Sequence, residues 1–300
     1  MLRHWALDQK DLQMNNFALK AIPQESAVFQ TLDELVDEVR IAIFSGLPGV
    51  GKSLYINAFQ ALAEQKGKKV SVIQWDVARK AFETESISQF FPMGDGVVHN
   101  GLKLAAGKWL MDELALWIEE HEDDEEILLI EAPLVGNRFI ELVKVQTDAI
   151  LESFLSHPGV QVIMPIPSKE VRTKIEEERK RQVSEDAKVW SGAKPSVMLM
   201  LWKMTCGIAN EFGKSIDMSG QPDYDPEVYE FVFSEILKHR YFLPLIIDEV
   251  FTIPEMDESE LHDSEALTAD EETANYYAEM IKNNYTEEEM NSITEKWYWS

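Results

Sequence analysis

The sequence predicts an α/β fold in which about five mainly parallel strands carry helices on both faces. Three observations lead there. Short apolar runs rich in β-branched residues recur at 41–44, 69–75, 127–130, 160–164 and 242–247. Longer stretches with apolar residues at helical spacing lie between them, the alternation that builds a parallel sheet through crossover helices. The first run leads straight into a glycine-rich turn and then into a helical pattern.

That turn is Gly46-Leu47-Pro48-Gly49-Val50-Gly51-Lys52-Ser53. It matches G-x-x-x-x-G-K-[ST], and each fixed residue type answers a physical demand. Glycines let the backbone curl around a polyphosphate with successive N–H groups pointing inward. Lys52 supplies positive charge to the β and γ phosphates, and the Ser53 hydroxyl is a ligand for Mg²⁺. The expected nucleotide-binding set is Gly46, Leu47, Pro48, Gly49, Val50, Gly51, Lys52, Ser53 and Leu54, with ATP and Mg²⁺ as cofactors. A helix over 54–66, closed by Gly67, completes the strand–loop–helix context that the motif requires.

Composition narrows the rest. Three hundred residues with 45% hydrophobic content are enough for one large domain with elaborations. The chain has 54 acidic and 28 basic residues, a net charge of −26. Such a charge repels nucleic acid and anionic membrane surfaces, so general nucleic-acid binding is not expected. Cys206 is the only cysteine, which excludes a disulfide framework and a thiolate metal site. The first twenty residues lack a long apolar core, and no apolar run approaches the roughly 20 residues that span a bilayer. A soluble, cytoplasmic protein is expected.

Residues 1–40 are expected to form an N-terminal helical extension, with a helix over 31–39 capped by Thr31. The domain proper covers 41–253. Its second strand ends at Asp76, with Arg79 nearby. Ligands of parallel α/β sheets bind beyond the carboxyl ends of the strands, so both residues stand where an acceptor would meet the γ-phosphate. A carboxylate there accepts a hydroxyl proton and orients the acceptor for in-line attack. Capping of the following helix is the plain structural alternative.

Residues 77–126 are longer than a simple crossover and form the expected substrate-binding insertion. A loop at 90–101 carries Asp95, His99 and Asn100, and a helix over 102–121 places Leu110, Leu114 and Trp117 on one face. The strand at 127–130 is followed by Glu131, a position suited to holding Mg²⁺ or its water as a Walker B acid does. Arg138 faces the site at the start of a helix expected over 139–154. After the strand at 160–164, Ser168 opens a long helix. Residues 169–194 hold eight Lys or Arg against six Asp or Glu, a local reversal of the chain's sign. A lid at 168–195 explains it, with Arg172, Arg179 and Arg181 clamping phosphoryl oxygens. A solvated helix with Glu176–Lys180 pairing is the alternative.

Helices over 197–212, which carries Trp202 and Cys206, and over 226–239 belong to the core. The last strand exits at Asp248 and Glu249, a pair that imitates a Walker B sequence. From 254 to 300 the chain has fourteen acidic residues and only Lys282 and Lys296 as lysines or arginines, ending on Trp297, Tyr298 and Trp299. Such an acidic tail is expected to be solvated and weakly ordered, although a helical pattern around 274–281 and the aromatic end suggest docking on this chain or on a protein partner.

On these residues the chain resembles P-loop kinases of the nucleoside and nucleotide kinase type over about residues 40–182. The resemblance rests on the phosphate loop, Asp76, Glu131 and the arginines of the lid. It is also similar in style to the zeta-toxin and seryl-tRNA kinase groups. It implies a three-layer P-loop NTPase fold and an ATP-dependent phosphotransferase acting on a small hydroxyl compound, a nucleoside or related metabolite. In that role Lys52, Asp76, Arg179 and Arg181 are catalytic, Asp76, Arg79, His99, Arg138 and Arg172 bind the acceptor, and Ser53 and Glu131 hold the metal. The absence of N-K-x-D disfavours a Ras-type GTPase. Two rivals stand beside it: a switch or motor ATPase using Asp248 and Glu249, and a non-enzymatic nucleotide-binding interaction protein that works through its tail.

Overall fold

The computed structural model describes residues 18–92, 98–121, 125–134, 136–185, 195–251 and 266–299. In chain order the elements begin with α1 (Ala27–Glu38), β1 (Ile41–Gly46), α2 (Lys52–Gln65), β2 (Lys69–Gln74) and the short helices α3 (Trp75–Ala78) and α4 (Glu85–Ser88). They continue with α5 (Asn100–Glu120), β3 (Glu126–Pro133), α6 (Ala149–Leu155), β4 (Val160–Pro167), α7 (Lys169–Glu185) and α8 (Pro195–Glu211). The last are α9 (Pro226–Ile236), β5 (Tyr241–Ile247), α10 (Glu271–Asn284) and α11 (Glu287–Glu295).

The strands form one five-stranded sheet in the order β2-β3-β1-β4-β5, parallel throughout. Side chains alternate between the two faces of each strand, so each strand supplies two cores. Ala42, Phe44, Val72, Ile127, Leu129 and Ile163 join a core with α1 and α2. Ile41, Ile43, Ile73, Leu128, Ile130 and Val162 face the other way, into a core with α5, α8, α9 and the C-terminal helices. The near-continuous burial of β1, β3 and β4 follows from this double covering. The helix that follows the glycine loop, α2, therefore lies on one face of the sheet and the insertion helix α5 on the other.

Several boundaries differ from expectation for local reasons. The N-terminal helix starts at Ala27, because the Ser26 hydroxyl accepts from the Phe29 amide at 3.1 Å. The second strand stops at Gln74, and Asp76 falls in the first turn of α3 rather than at a strand end. The helix expected over 139–154 is a 3₁₀ turn at Ile140–Leu142 followed by α6. Arg240 reaches into this segment and takes the carbonyls of Leu142, at 2.8 Å, and Lys144, so these oxygens are spent on a side chain instead of a helix. Asp148 then restarts the helix by accepting from the Ile150 and Leu151 amides.

The C-terminal region corrects the expectation of a weakly ordered tail and bears out the expected docking of its helix and aromatic end on this chain. Residues 266–299 are not loosely solvated, because α10 and α11 pack on α5. Ala274, Tyr277, Ala278 and Ile281 form a buried stripe at i, i+3, i+4 and i+7, while the acidic residues occupy the outer face. Tyr277 donates to Asp112 at 2.8 Å, and Trp297 is buried in the α5 core. No helix among the described residues is long and apolar enough to cross a membrane.

Candidate nucleotide and acceptor site

β1 delivers the glycine loop to the carboxyl edge of the sheet, and α2 leaves from it. Gly46, Gly49 and Gly51 have φ of 140°, 82° and 84°, all in the region that favours glycine. At Gly46 the approach is also close, since an added Cβ would lie 3.3 Å from the Tyr229 hydroxyl. Gly51 is the N-cap of α2, and no side chain caps that helix start. Its first-turn amides and helix dipole therefore face the hollow of the loop, an arrangement suited to an anion. The Lys52 ammonium is folded over the loop, donating to the carbonyls of Gly46 at 3.2 Å and Leu47 at 3.3 Å. Ser53 is half-buried beside it, while Leu54 and Val50 anchor the loop in the core.

A partner with no local sequence signal holds the first turn. The Leu47 amide donates to the hydroxyl of Tyr229 at 2.9 Å, across 182 positions of the chain. Tyr229 is completely buried in α9, and burial raises its hydroxyl pKa.

Glu131 lies within β3, not beyond its end, in register with Phe44 of β1 on one side and Gln74 of β2 on the other. Ile127 and Leu129 face the α2 side of the sheet, so the two-residue period places Glu131 on that face as well. It is 9% exposed. A hydroxyl at Ser53 and a carboxylate at Glu131 are hard oxygen donors of the kind Mg²⁺ takes alongside phosphate oxygens and water. Among the described residues no group of three or more His, Cys, Asp or Glu gathers as a self-sufficient metal site. Asp248 and Glu249 follow β5 directly and are exposed. The Tyr55 hydroxyl, in the first turn of α2, is pushed up by burial and further by the charge of Glu249.

The candidate acceptor side is formed by α3, the end of β3 and α5. Asp76 is largely exposed and pairs with Arg79 at 2.9 Å; Arg79 also binds Glu83. It does not cap α3, whose N-cap is Gln74. Trp75 is buried, edge-on to Phe139 at 5.0 Å, and the Arg138 guanidinium lies 5.5 Å over the Trp75 ring. Burial holds Arg138 below its ordinary pKa, with the charge of Asp76 opposing and that of Arg79 reinforcing. Lys103, which the sequence did not single out, is brought down to about 8 by burial and by the charge of Arg138.

His99 has a structural role. Its Nδ1 accepts from the Gly101 amide at 3.1 Å as the N-cap of α5, its ring stacks on Phe91, and Nε2 is 3.6 Å from Glu287. Asp95 lies outside the described residues.

The expected lid begins with α7. Arg172 is buried rather than reaching out: Nε donates to Glu176 at 2.8 Å and the guanidinium lies 5.4 Å from the Tyr224 ring. Its Nη1 and the Tyr224 hydroxyl are buried without hydrogen-bond partners. Tyr224 in turn packs against Tyr229, the residue bonded to the phosphate loop. Arg181 is exposed and grips Glu178 through two bonds, at 2.6 and 3.0 Å. The Arg179 side chain lies outside the described residues.

No family model and no curated protein matches this chain. Its function therefore has to be argued from the site.

Proposed function

We propose that the chain is an ATP-dependent phosphotransferase of the P-loop kinase type, moving the γ-phosphoryl group to a hydroxyl of a small molecule such as a nucleoside or related metabolite. The observation that carries this is the glycine loop with its uncapped helix start and inward Lys52, one strand from a buried Glu131 and at the same sheet edge as Asp76.

In this reading the loop amides and Lys52 hold the β and γ phosphates. Ser53 and Glu131 hold Mg²⁺, which when bound neutralises charge on the phosphate oxygens. The acceptor oxygen forms a bond to the γ-phosphorus while the bond from that phosphorus to the β–γ bridging oxygen breaks, its electron pair leaving with ADP. Asp76 takes the hydroxyl proton. A reducing, cytoplasmic setting agrees with Cys206, whose buried thiol is pushed up to about 11.

The direct test is ATP consumption measured over a panel of nucleosides, sugars and RNA ends. Turnover that depends on one class of hydroxyl compound is expected; acceptor-independent hydrolysis alone would falsify the proposal. A motor-type reading has one observation in its favour, the charge of Glu249 acting on Tyr55 beside the loop. The two readings part at the carboxylates. Glu131→Gln is expected to lower magnesium-dependent turnover by roughly a hundredfold with Glu249→Gln near wild type, and the reverse pattern selects the motor reading.

A further inference from the structure

The acceptor flank concentrates cations in a chain of net charge −26. Gly107 of α5 faces the segment after β3 so closely that a Cβ there would lie 1.9 Å from Glu141 Oε2. Lys103 is one helical turn earlier on the same face, and Arg138 is three residues before Glu141. The two cations are near enough for the charge of Arg138 to act on Lys103. Among the described residues Arg138 donates only to the carbonyl and side-chain oxygens of Asn137, and Lys103 has no hydrogen-bonded or ion-paired partner. The acid whose charge acts on Arg138, Asp76, is already bonded to Arg79. Two partly buried like charges, with no hydrogen-bonded or ion-paired carboxylate of their own among the described residues, are costly unless a ligand supplies one.

We infer that the acceptor carries an anionic group, a carboxylate or a phosphate monoester, and that Lys103 and Arg138 bind it beside Trp75, leaving the acceptor hydroxyl toward Asp76. Arg138 contributes a planar fork held over the Trp75 ring, suited to two oxygens of one anion. Lys103 adds a second donor from α5. This names the substrate class within the phosphotransferase reading and rests on that reading for what is done to the ligand, but the anion site can be tested without ATP.

The test is pulsed acetylation of full-length protein with acetic anhydride, a neutral reagent, at about pH 8, where the Lys103 amine is partly unprotonated. Modification of Lys103 is read by peptide mass spectrometry. The probes are nucleoside 5′-monophosphates, sugar phosphates and hydroxy acids, each beside its neutral parent, at roughly 10 mM to detect millimolar affinity. At least one anionic class is expected to slow acetylation about fivefold or more while its neutral parent does not. Arg138→Gln should abolish that protection, and Lys52→Ala should retain it. The class that protects separates phosphate from carboxylate. If no anion protects, or neutral parents protect equally, the inference is wrong; it also fails if Asp95→Asn alone changes Lys103 reactivity, since the countercharge is then internal.

The second readout is kinetic. Lys103→Gln should raise the KM of the anionic acceptor about tenfold with the KM of ATP unchanged, and Lys103→Arg should restore it. Protection without any phosphotransfer leaves the anion site standing and removes the kinase reading. Phosphotransfer to neutral compounds without protection does the opposite.

Discussion

The two halves of the candidate site are built in different ways. The candidate nucleotide side is nine consecutive residues, Gly46 to Leu54, which offer backbone amides, three glycine conformations and one lysine. The acceptor side is assembled from Trp75 to Arg79, Lys103 and Arg138, and it leans on the far end of the chain. The aromatic ring of Trp297 lies under Gly136, where an added Cβ would come within 2.6 Å of it. A polyphosphate is recognised by a short loop because its oxygens are met by successive N–H groups. A particular acceptor needs side chains from several directions, and only packing supplies those.

If that division is sound, damage on each side should stay on that side. Lys52→Ala should have the largest effect, lowering phosphotransfer by on the order of a thousandfold while circular dichroism and the reactivity of Lys103 stay unchanged. A coupled loss of Lys103 protection would show that the halves are not independent.

Trp297→Ala comes next. It empties a site 2% exposed against the loop after β3 and should cost about 3 kcal/mol in denaturant unfolding. Beyond that it should weaken acceptor binding more than ATP binding, because its neighbours are Gly136 and Val143 rather than the phosphate loop.

A smaller effect is expected at the Tyr229 tie of the candidate nucleotide side. Tyr229→Phe leaves the buried Leu47 amide without its acceptor, a cost of about 1 to 3 kcal/mol, and should loosen ATP binding measured by calorimetry. Full ATP affinity in this variant would mean that the loop holds its shape unaided.

The smallest effect concerns pH. Lys103 titrates at about 8 in the folded chain against 10.5 for an ordinary lysine. Between those values the unfolded chain binds more protons, so this group makes stability rise with pH from about 8 to about 10.5. Below 8 its cost is fully present. The difference in unfolding free energy between wild type and Lys103→Gln should therefore shrink across that window as pH rises. An anionic ligand should remove the dependence by favouring the charged amine.

Much of the fold was legible because it rests on short-range patterns. Each β-branched run became a strand, and Leu110, Leu114 and Trp117 face the core together, since periodicity reflects which side is buried. The helix expected over 139–154 failed because Arg240, about a hundred residues later, takes its carbonyls. In the acidic tail the average charge suggested weak order, while the apolar stripe at Ala274, Tyr277, Ala278 and Ile281 and the aromatic end announced the docking that the structure has. His99 looked like a loop ligand, but its cap and its stack on Phe91 depend on how α5 begins.

By itself the sequence determined the parallel α/β sheet and the glycine loop with Lys52 and Ser53, because backbone conformation, spacing and burial period are local properties. Only the tertiary structure decided that Tyr229 ties the loop, that Arg172 is buried against Tyr224, and that Arg138 lies over Trp75 with its charge acting on Lys103. Those contacts join residues tens to hundreds of positions apart. Nothing in a neighbouring residue can announce them, because the interaction exists only once the cores on both faces of the sheet have closed.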